Sequence, residues 1–267
     1  MNDKVTENKI GILGAGNIGQ SLIIKLLEKG YPKDNIKLTY RGSIFTFEKI
    51  YDNNLVDMIS DNARLVEESD IIILSVLPQA FKQIGDFGLK EDKLVISFMA
   101  GVTIDEIKKQ TGSDNVVRVM PTGPDTILNS NAIAGVYPEN HMLSKLLDLL
   151  DVDYYLLDNE EDMKYMTLIG CLPAVYCKYD YESSENKEAV DKLSENFPLF
   201  KKLSYKASLL VPTDNKDEFV KKVSTPGGVT QKILSSLDNG ESLYDSLVIA
   251  LDYIDKLNDM VFVWYPF

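Results

Sequence analysis

The most informative segment of the sequence is Ile10-Gly11-Ile12-Leu13-Gly14-Ala15-Gly16-Asn17-Ile18-Gly19, whose last six residues match G-x-G-x-x-G. An apolar run precedes the glycines, and apolar residues at helical spacing follow from Ile18 to Leu27, which predicts a strand, a tight turn and a helix. In such a turn Gly14 permits the bend, Gly16 lets a pyrophosphate approach the backbone, and Gly19 allows close helix–strand packing. The helix N-terminus adds unpaired N–H groups for phosphate. The stretch therefore predicts a dinucleotide site over Gly14 to Gly19.

The first 158 residues continue this alternation of strands and helices. The predicted strands are Lys9–Leu13, Ile36–Tyr40, Ile71–Val76, Leu94–Met99, Val116–Met120 and Ala132–Val136. Near-continuous apolar runs such as Ile71-Ile72-Ile73-Leu74 are typical of strands that helices cover on both faces of a parallel sheet. We therefore expect residues 1–158 to form an α/β, doubly wound Rossmann domain that binds the dinucleotide.

The pattern changes after Asp158, where strand-like runs become scarce. The predicted helices are Asp162–Tyr179, Lys187–Leu210, Asp217–Val223, Val229–Leu237 and Leu243–Val261. Asp158-Asn159-Glu160-Glu161 supplies the capping residues and early acids of a helix start. The sequence thus predicts a second, all-helical domain over residues 159–267, closely coupled to the first.

The end of the second predicted strand indicates which dinucleotide is bound. A site for NAD(H) usually places an acid there to bond the ribose 2′-hydroxyl, whereas a 2′-phosphate calls for arginine. Here the strand leads into Arg41-Gly42-Ser43, with no acid at its tip. A guanidinium can pair with a phosphate and a serine adds a hydroxyl donor, so the sequence favours NADP(H) over NAD(H).

Composition excludes several other classes of function. The 267 residues hold 28 Lys plus Arg and 41 Asp plus Glu, a formal net charge of −13 that disfavours nucleic acid and anionic membranes as partners. No apolar run reaches the roughly 18 residues of a membrane span, and the polar N-terminus is unlike a secretory signal, so cytoplasm is the expected location. With two cysteines and His141 as the single histidine, no metal site is predicted. Cys171 and Cys177 are expected to be buried apolar residues.

Further motifs, in order along the chain, resemble those of pyrroline-5-carboxylate reductase, the NAD(P)H enzyme of the last step of proline synthesis. The motifs are Asp61-Asn62, Ser75-Val76-Leu77-Pro78, Ser97-Phe98-Met99-Ala100-Gly101-Val102, Arg118-Val119-Met120-Pro121 and Thr225-Pro226-Gly227-Gly228-Val229-Thr230. The resemblance spans Ile10 to about Leu237. It implies a Rossmann domain followed by a helical domain that forms a homodimer, and family dimers commonly assemble into larger rings.

The resemblance also assigns the cofactor groove. Gly14 to Gly19 would hold the pyrophosphate, and Arg41 with Ser43 would hold the 2′-phosphate. The rest of the groove would be lined by Asn62, Ser75, Val76, Leu77, Pro78, Phe98, Met99 and Ala100. This placement agrees with the rule that ligands lie beyond the carboxyl ends of parallel strands.

The prediction of a substrate site depends on the segment Pro226-Gly227-Gly228. Gly227 and Gly228 would let backbone N–H groups approach a ligand, and Thr230 lies in the first turn of the helix that follows, a suitable place for a carboxylate. By resemblance Thr230 helps to hold the pyrroline carboxylate. Tyr176, one position beyond the family's tyrosine, is expected to reach the active cleft.

Departures from the family pattern cluster near the substrate. They are Leu77 for a lysine, Thr122 for an asparagine, Leu172 for a glycine and Val229 for a hydroxyl residue. A protonated cyclic imine already carries positive charge on its C=N bond, so its reduction requires mainly alignment and exclusion of water. The expected reaction is therefore NADPH-dependent reduction of 1-pyrroline-5-carboxylate, or another small cyclic imine carboxylate, to L-proline or its analogue.

Two alternatives remain open from the sequence. A β-hydroxyacid-type dehydrogenase shares the two-domain plan, but its Gly-x-x-x-Lys motif is absent because Ala174 stands four residues after Gly170. A catalytically silent paralogue that binds NADP(H) and acts in regulation would explain the drift at the substrate side.

Overall fold

A seven-stranded sheet organises the chain. The computed structural model describes residues 5–85, 87–89, 93–225 and 227–257. The strands are β1 (Ile10–Leu13), β2 (Ile36–Thr39), β3 (Ile71–Leu74), β4 (Leu94–Ser97), β5 (Val116–Pro121), β6 (Ile133–Tyr137) and β7 (Asp153–Leu156), in the order β2-β1-β3-β4-β5-β6-β7. All neighbouring pairs are parallel except β5–β6, which is antiparallel. The predicted doubly wound α/β fold is confirmed.

Helices cover the sheet and then form a separate layer. Those between the strands are α1 (Asn17–Glu28), α2 (Ile44–Asp52), α3 (Asn62–Glu68), α4 (Pro78–Phe81), α5 (Ile104–Thr111), α6 (Pro124–Leu128) and α7 (His141–Leu149). Those after the sheet are α8 (Met163–Lys178), α9 (Ser184–Asn196), α10 (Leu199–Ser208), α11 (Lys216–Val223), α12 (Val229–Asp238) and α13 (Leu243–Lys256). None of these described helices has both the length and the apolar character needed to cross a membrane.

The core lies on both faces of the sheet. Each residue of β1, β3 and β4 is buried, as the continuous apolar runs predict. On one face Leu22 and Ile23 of α1 pack with Ile50 of α2, and on the other Leu65 of α3 packs with Phe81 of α4. Because α1 begins four residues after β1 ends, and β1 is parallel to its neighbours, the N-terminus of α1 lies at the carboxyl edge of the sheet.

One predicted helix is divided in the structure, and one strand of the sheet was not predicted. The helix predicted over Lys187–Leu210 is in fact two helices, α9 and α10, because Pro198 interrupts it and holds the preceding Phe197 in an extended conformation. The edge strand β7 was not predicted; its residues are exposed or half-buried, so it lacks the apolar run that marks the inner strands. The predicted helix Leu243–Val261 ends, within the described residues, as α13 at Lys256, and its last residues lie outside them.

The helical layer packs against strands β5 and β6 of the sheet through α8. Met163 and Met166 of α8 share one apolar cluster with Met120 of β5 and Ile133 of β6. An ion pair at 2.8 Å joins the Arg118 guanidinium of β5 to Glu160, in the segment just before α8. A division of the chain at Asp158 remains a prediction.

Candidate cofactor and substrate site

The glycine-rich loop between β1 and α1 is fixed against the end of β3. Gly14 has φ +99°, a conformation that favours glycine, and a Cβ there would meet Val76 Cγ1 at 2.6 Å. The Ser75 hydroxyl donates to the Gly14 carbonyl oxygen at 2.7 Å. Ser75 and Val76, which the resemblance assigns to the groove, therefore also hold the loop in place.

The other two glycines of the motif have different local surroundings. A Cβ on Gly19 would lie 2.4 Å from the Gly14 carbonyl oxygen, so the packing of α1 against β1 requires a glycine there. A Cβ on Gly16 would meet no protein atom within 4 Å, and its φ of −75° is open to any residue. The protein itself thus gives no reason for glycine at position 16, whereas a ligand lying against the helix N-terminus does.

The remaining motif residues divide between core and surface. Ala15 is fully buried and donates its N–H to the Thr39 carbonyl oxygen at 2.8 Å, and Ile18 packs against the core. Asn17 is exposed as the first residue of α1, and no side chain caps that helix. The first-turn N–H groups of α1 are therefore left as donors toward the carboxyl edge of the sheet.

The segment after β2 lies beside this loop. Arg41 is exposed, and its Nη2 donates to Gln83 Oε1 at 2.7 Å, which connects the end of β2 with the end of α4. Ser43 is the N-cap residue of α2, but its side chain makes no capping hydrogen bond. Both polar side chains that the sequence predicts for a 2′-phosphate are thus on one short segment at the sheet edge.

The rest of the predicted groove is only partly accessible. Leu77 is 56% exposed, Asn62 is exposed and Phe98 is half-buried. Pro78 is the first residue of α4, and Ala100 is half-buried beyond β4. Met99 was predicted to line the groove, but its side chain is 1% exposed and lies in the apolar core, so only its backbone can face a ligand.

The substrate-side segment forms a tight turn. The Gly228 N–H donates to the Thr225 carbonyl oxygen at 2.9 Å, and Gly227 has φ +70°. A Cβ on Gly228 would lie 2.5 Å from Thr225 Oγ1, so the turn itself requires this glycine. Pro226 lies outside the described residues.

One expectation about this turn is wrong. The Gly227 N–H donates to Gln231 Oε1 at 2.7 Å, so both glycine N–H groups already have partners within the chain. The donors that remain are the N–H groups in the first turn of α12, where Thr230 is 9% exposed.

Thr230 is connected to the sheet through α8. It hydrogen-bonds the Cys171 thiol, whose pKa is raised to about 11, mainly by burial and against a smaller lowering by this bond. The preceding Gly170 approaches β5 so closely that its Cβ would lie 3.3 Å from the Pro121 carbonyl oxygen. Thr122, a departure from the family pattern, is buried and its hydroxyl hydrogen-bonds Thr126 at 3.0 Å.

Helix α13 connects the turn with the loop after β4. The Tyr253 hydroxyl donates to the Gly227 carbonyl oxygen at 2.8 Å. At the next residue of α13, the Ile254 carbonyl oxygen lies 2.5 Å from where a Gly101 Cβ would be. Sequence reasoning missed Tyr253, because nothing in its local pattern indicates a contact 26 residues away.

Other candidate residues have structural surroundings. Tyr176 does not reach a cleft: it is buried, its hydroxyl hydrogen-bonds Ser204 Oγ at 2.7 Å, and burial raises its pKa. Cys171 is buried as expected, whereas Cys177 is only half-buried. His141 is exposed at the start of α7. Within the described ranges, no group of three His, Cys, Asp or Glu side chains is arranged to hold a metal.

Known proteins are similar to this chain over different lengths: a family model matches its N-terminal part, and several relatives match most of it. A family model described as "NADP oxidoreductase coenzyme F420-dependent" matches residues 9–101, which include the glycine loop and the loop after β4. Pyrroline-5-carboxylate reductase from Pseudomonas aeruginosa is 27% identical, covering 91% of this chain and 93% of that protein. Pyrroline-5-carboxylate reductase 2 from Bacillus subtilis is also 27% identical, covering 90% of each. These alignments extend through the helical layer as well as the sheet.

Over most of its length the chain is thus similar to pyrroline-5-carboxylate reductases. It is an NAD(P)H-dependent oxidoreductase that resembles pyrroline-5-carboxylate reductase. This chain shares its fold with a solved structure of Plasmodium falciparum pyrroline carboxylate reductase with NADP bound. The two match with a TM-score of 0.56 and 19% identity, over 95% of this chain and 99% of the other.

Proposed function

We propose that this chain reduces a small cyclic imine carboxylate with NADPH, and that 1-pyrroline-5-carboxylate, reduced to L-proline, is its substrate. The observation that carries the proposal is the double contact of α13. Tyr253 holds the turn before α12, and the adjacent Ile254 packs against Gly101, beyond β4. A carboxylate at the N-terminus of α12 would thus lie close to the strand ends where a nicotinamide binds in this fold.

The cofactor half has the features that a dinucleotide requires. Gly16 leaves open space beside the first turn of α1, and the N–H groups there favour a pyrophosphate. Arg41 and Ser43 offer charge-assisted and hydroxyl contacts to a 2′-phosphate, which supports NADPH over NADH. When bound, the reduced nicotinamide supplies a hydride to an electrophilic carbon.

The substrate half suits an anion more than a neutral carbonyl compound. The first-turn N–H groups of α12 are donors at one helix end, the arrangement that favours a carboxylate, and Thr230 lies in that turn. A protonated imine needs no side-chain acid to polarise it, so the role left to the protein is to hold the ring and exclude water. Buried Val229 and Cys171 supply apolar surroundings for that purpose.

The test is the loss of NADPH absorbance with 1-pyrroline-5-carboxylate, beside NADH and a panel of other cyclic imines. We expect turnover with the carboxylate-bearing imines and little with an imine that lacks the carboxylate. Tight NADPH binding without turnover on any imine would contradict the proposal and leave a silent dinucleotide-binding paralogue. Equal rates with and without the carboxylate would contradict the assignment at α12.

The cofactor preference has its own test in Arg41→Ala. We expect NADPH binding to weaken by about 1–3 kcal/mol, the range of a charge-assisted contact, with NADH binding little changed. The measurement is calorimetric titration with each dinucleotide. Equal losses for both would contradict the 2′-phosphate role.

We also propose that the helical layer pairs with a second copy of the chain. Tyr205 of α10, Leu209 just after it, and Val248 and Ile249 of α13 are exposed apolar side chains, an arrangement that is typical of subunit contacts. Light scattering coupled to size exclusion should give at least twice the chain mass. A monomer at micromolar concentration would contradict this.

A further inference from the structure

A lysine on α2 reaches the N-terminus of α1. Lys49 Nζ donates to Asn17 Oδ1 at 3.0 Å, although the two residues are 32 apart in sequence. Asn17 is the first residue of α1, at the helix end where the glycine loop leaves unpaired N–H groups. The contact therefore brings an ammonium group to the end of the helix that favours phosphate.

The packing of α2 fixes this position. Ile50, next to Lys49, is fully buried in the core beside α1. One turn later Asn53 Nδ2 donates to Gln20 Oε1 at 2.9 Å, a second polar contact between the same two helices. Asn53 is the C-cap residue of α2, four residues after Lys49, so the two side chains lie on the same side of the helix, toward α1.

The charge of Lys49 is not neutralised within the described ranges. No carboxylate among the described residues lies within ion-pair distance of its ammonium, whereas Lys33 pairs with Asp57 and Lys201 with Asp191. In a chain with a net charge of −13, an ammonium without a carboxylate partner at a helix N-terminus leaves a local positive site.

We propose that Lys49 binds the pyrophosphate of the dinucleotide, beside the glycine loop and separately from Arg41. This inference rests on the dinucleotide binding in the proposed function, but not on its substrate. The pyrophosphate is common to NADPH and NADH, so Lys49 contributes to both, whereas Arg41 serves only the cofactor with a 2′-phosphate. The chain thus has two cationic residues for two different phosphate groups.

The experiment compares two charge-removing variants of the full chain, Lys49→Gln and Lys33→Gln. Lys33 is an exposed lysine at the amino end of β2, so its replacement changes the net charge equally but far from the glycine loop. Dissociation constants for NADPH and NADH are measured by calorimetry at low and moderate salt, and thermal unfolding confirms that each variant is folded. Lys49→Arg, which keeps the charge, serves as a rescue variant.

We expect Lys49→Gln to weaken both dinucleotides by roughly 5- to 30-fold, to an equal extent, and to reduce the salt dependence of binding. Lys33→Gln should remain within about 2-fold of the wild type, and Lys49→Arg should recover most of the affinity. Unchanged binding in Lys49→Gln, or a loss for NADPH alone, would overturn the inference and leave the proposed function standing. If the wild-type chain binds neither dinucleotide, both this inference and the proposed function are refuted.

Discussion

Replacing Gly16 and Gly19 by alanine, one at a time, separates glycine needed for a ligand from glycine needed for packing. At Gly16 the added Cβ meets no protein atom within 4 Å and the backbone is extended. The gain from a less flexible unfolded chain, about 0.4–1 kcal/mol, opposes a similar loss at the N-cap, so stability should change by less than about 1 kcal/mol. Dinucleotide binding should weaken by about 1–3 kcal/mol, because the methyl group occupies the space of the pyrophosphate.

Gly19→Ala should behave in the opposite way. Its Cβ would lie 2.4 Å from the Gly14 carbonyl oxygen, more than about 1 Å inside normal contact, and that atom belongs to the backbone. We expect a loss of about 1–3 kcal/mol or more in the free energy of unfolding, followed by urea denaturation. The reasoning is refuted if Gly16→Ala binds NADPH and NADH as tightly as the wild type, or if Gly19→Ala is as stable as the wild type.

Three further predictions concern the coupling of the two layers. Glu160→Ala should lower the free energy of unfolding by about 3–5 kcal/mol, because it leaves the Arg118 guanidinium, 7% exposed, without its carboxylate. The control is Glu161→Ala, at a largely exposed site, which should change the urea midpoint little. The Cys171 thiol, with a pKa raised from 9.0 to about 11, stabilises the fold below pH 9 and loses that contribution as the pH rises toward 11. Urea titrations across that range should therefore show a loss on the order of 2 kcal/mol in the wild type that is absent in Cys171→Ala. Tyr253→Phe should raise the KM for the imine and leave the NADPH dissociation constant unchanged, as steady-state kinetics and calorimetry can measure; a change in cofactor binding alone would contradict the role given to α13.

Most of the sheet could be predicted from the sequence, because each inner strand is an apolar run between helical segments. The break between α9 and α10 was also predictable, since Pro198 cannot continue a helix and restricts Phe197. The edge strand β7 was harder, because its Asp153 and Leu156 are exposed and show no buried pattern. Its strand conformation depends on pairing with β6.

Some site residues could be predicted from the sequence and others could not, because a local pattern does not show which distant segments meet. The positions of Gly14 and Gly19 follow from a local strand–turn–helix pattern, so the glycine turn between β1 and α1 could be predicted from the sequence. Tyr176 could not be placed, because one position along a helix turns a side chain by about 100° and directs it here into the core. The engagement of both glycine N–H groups before α12 was also beyond a local pattern, since it depends on the position of the Gln231 side chain.

The dinucleotide-binding motif and the succession of strands and helices along the chain can be predicted from local sequence patterns, and the acidic charge follows from composition. Which residues meet across long separations in the chain depends on how the helices pack. Lys49 reaches Asn17 because α2 packs near α1, and Tyr253 reaches Gly227 because α13 packs along α12. Such contacts arise from the packing of apolar faces, which fixes where a helix lies and thereby which of its polar side chains meet another segment.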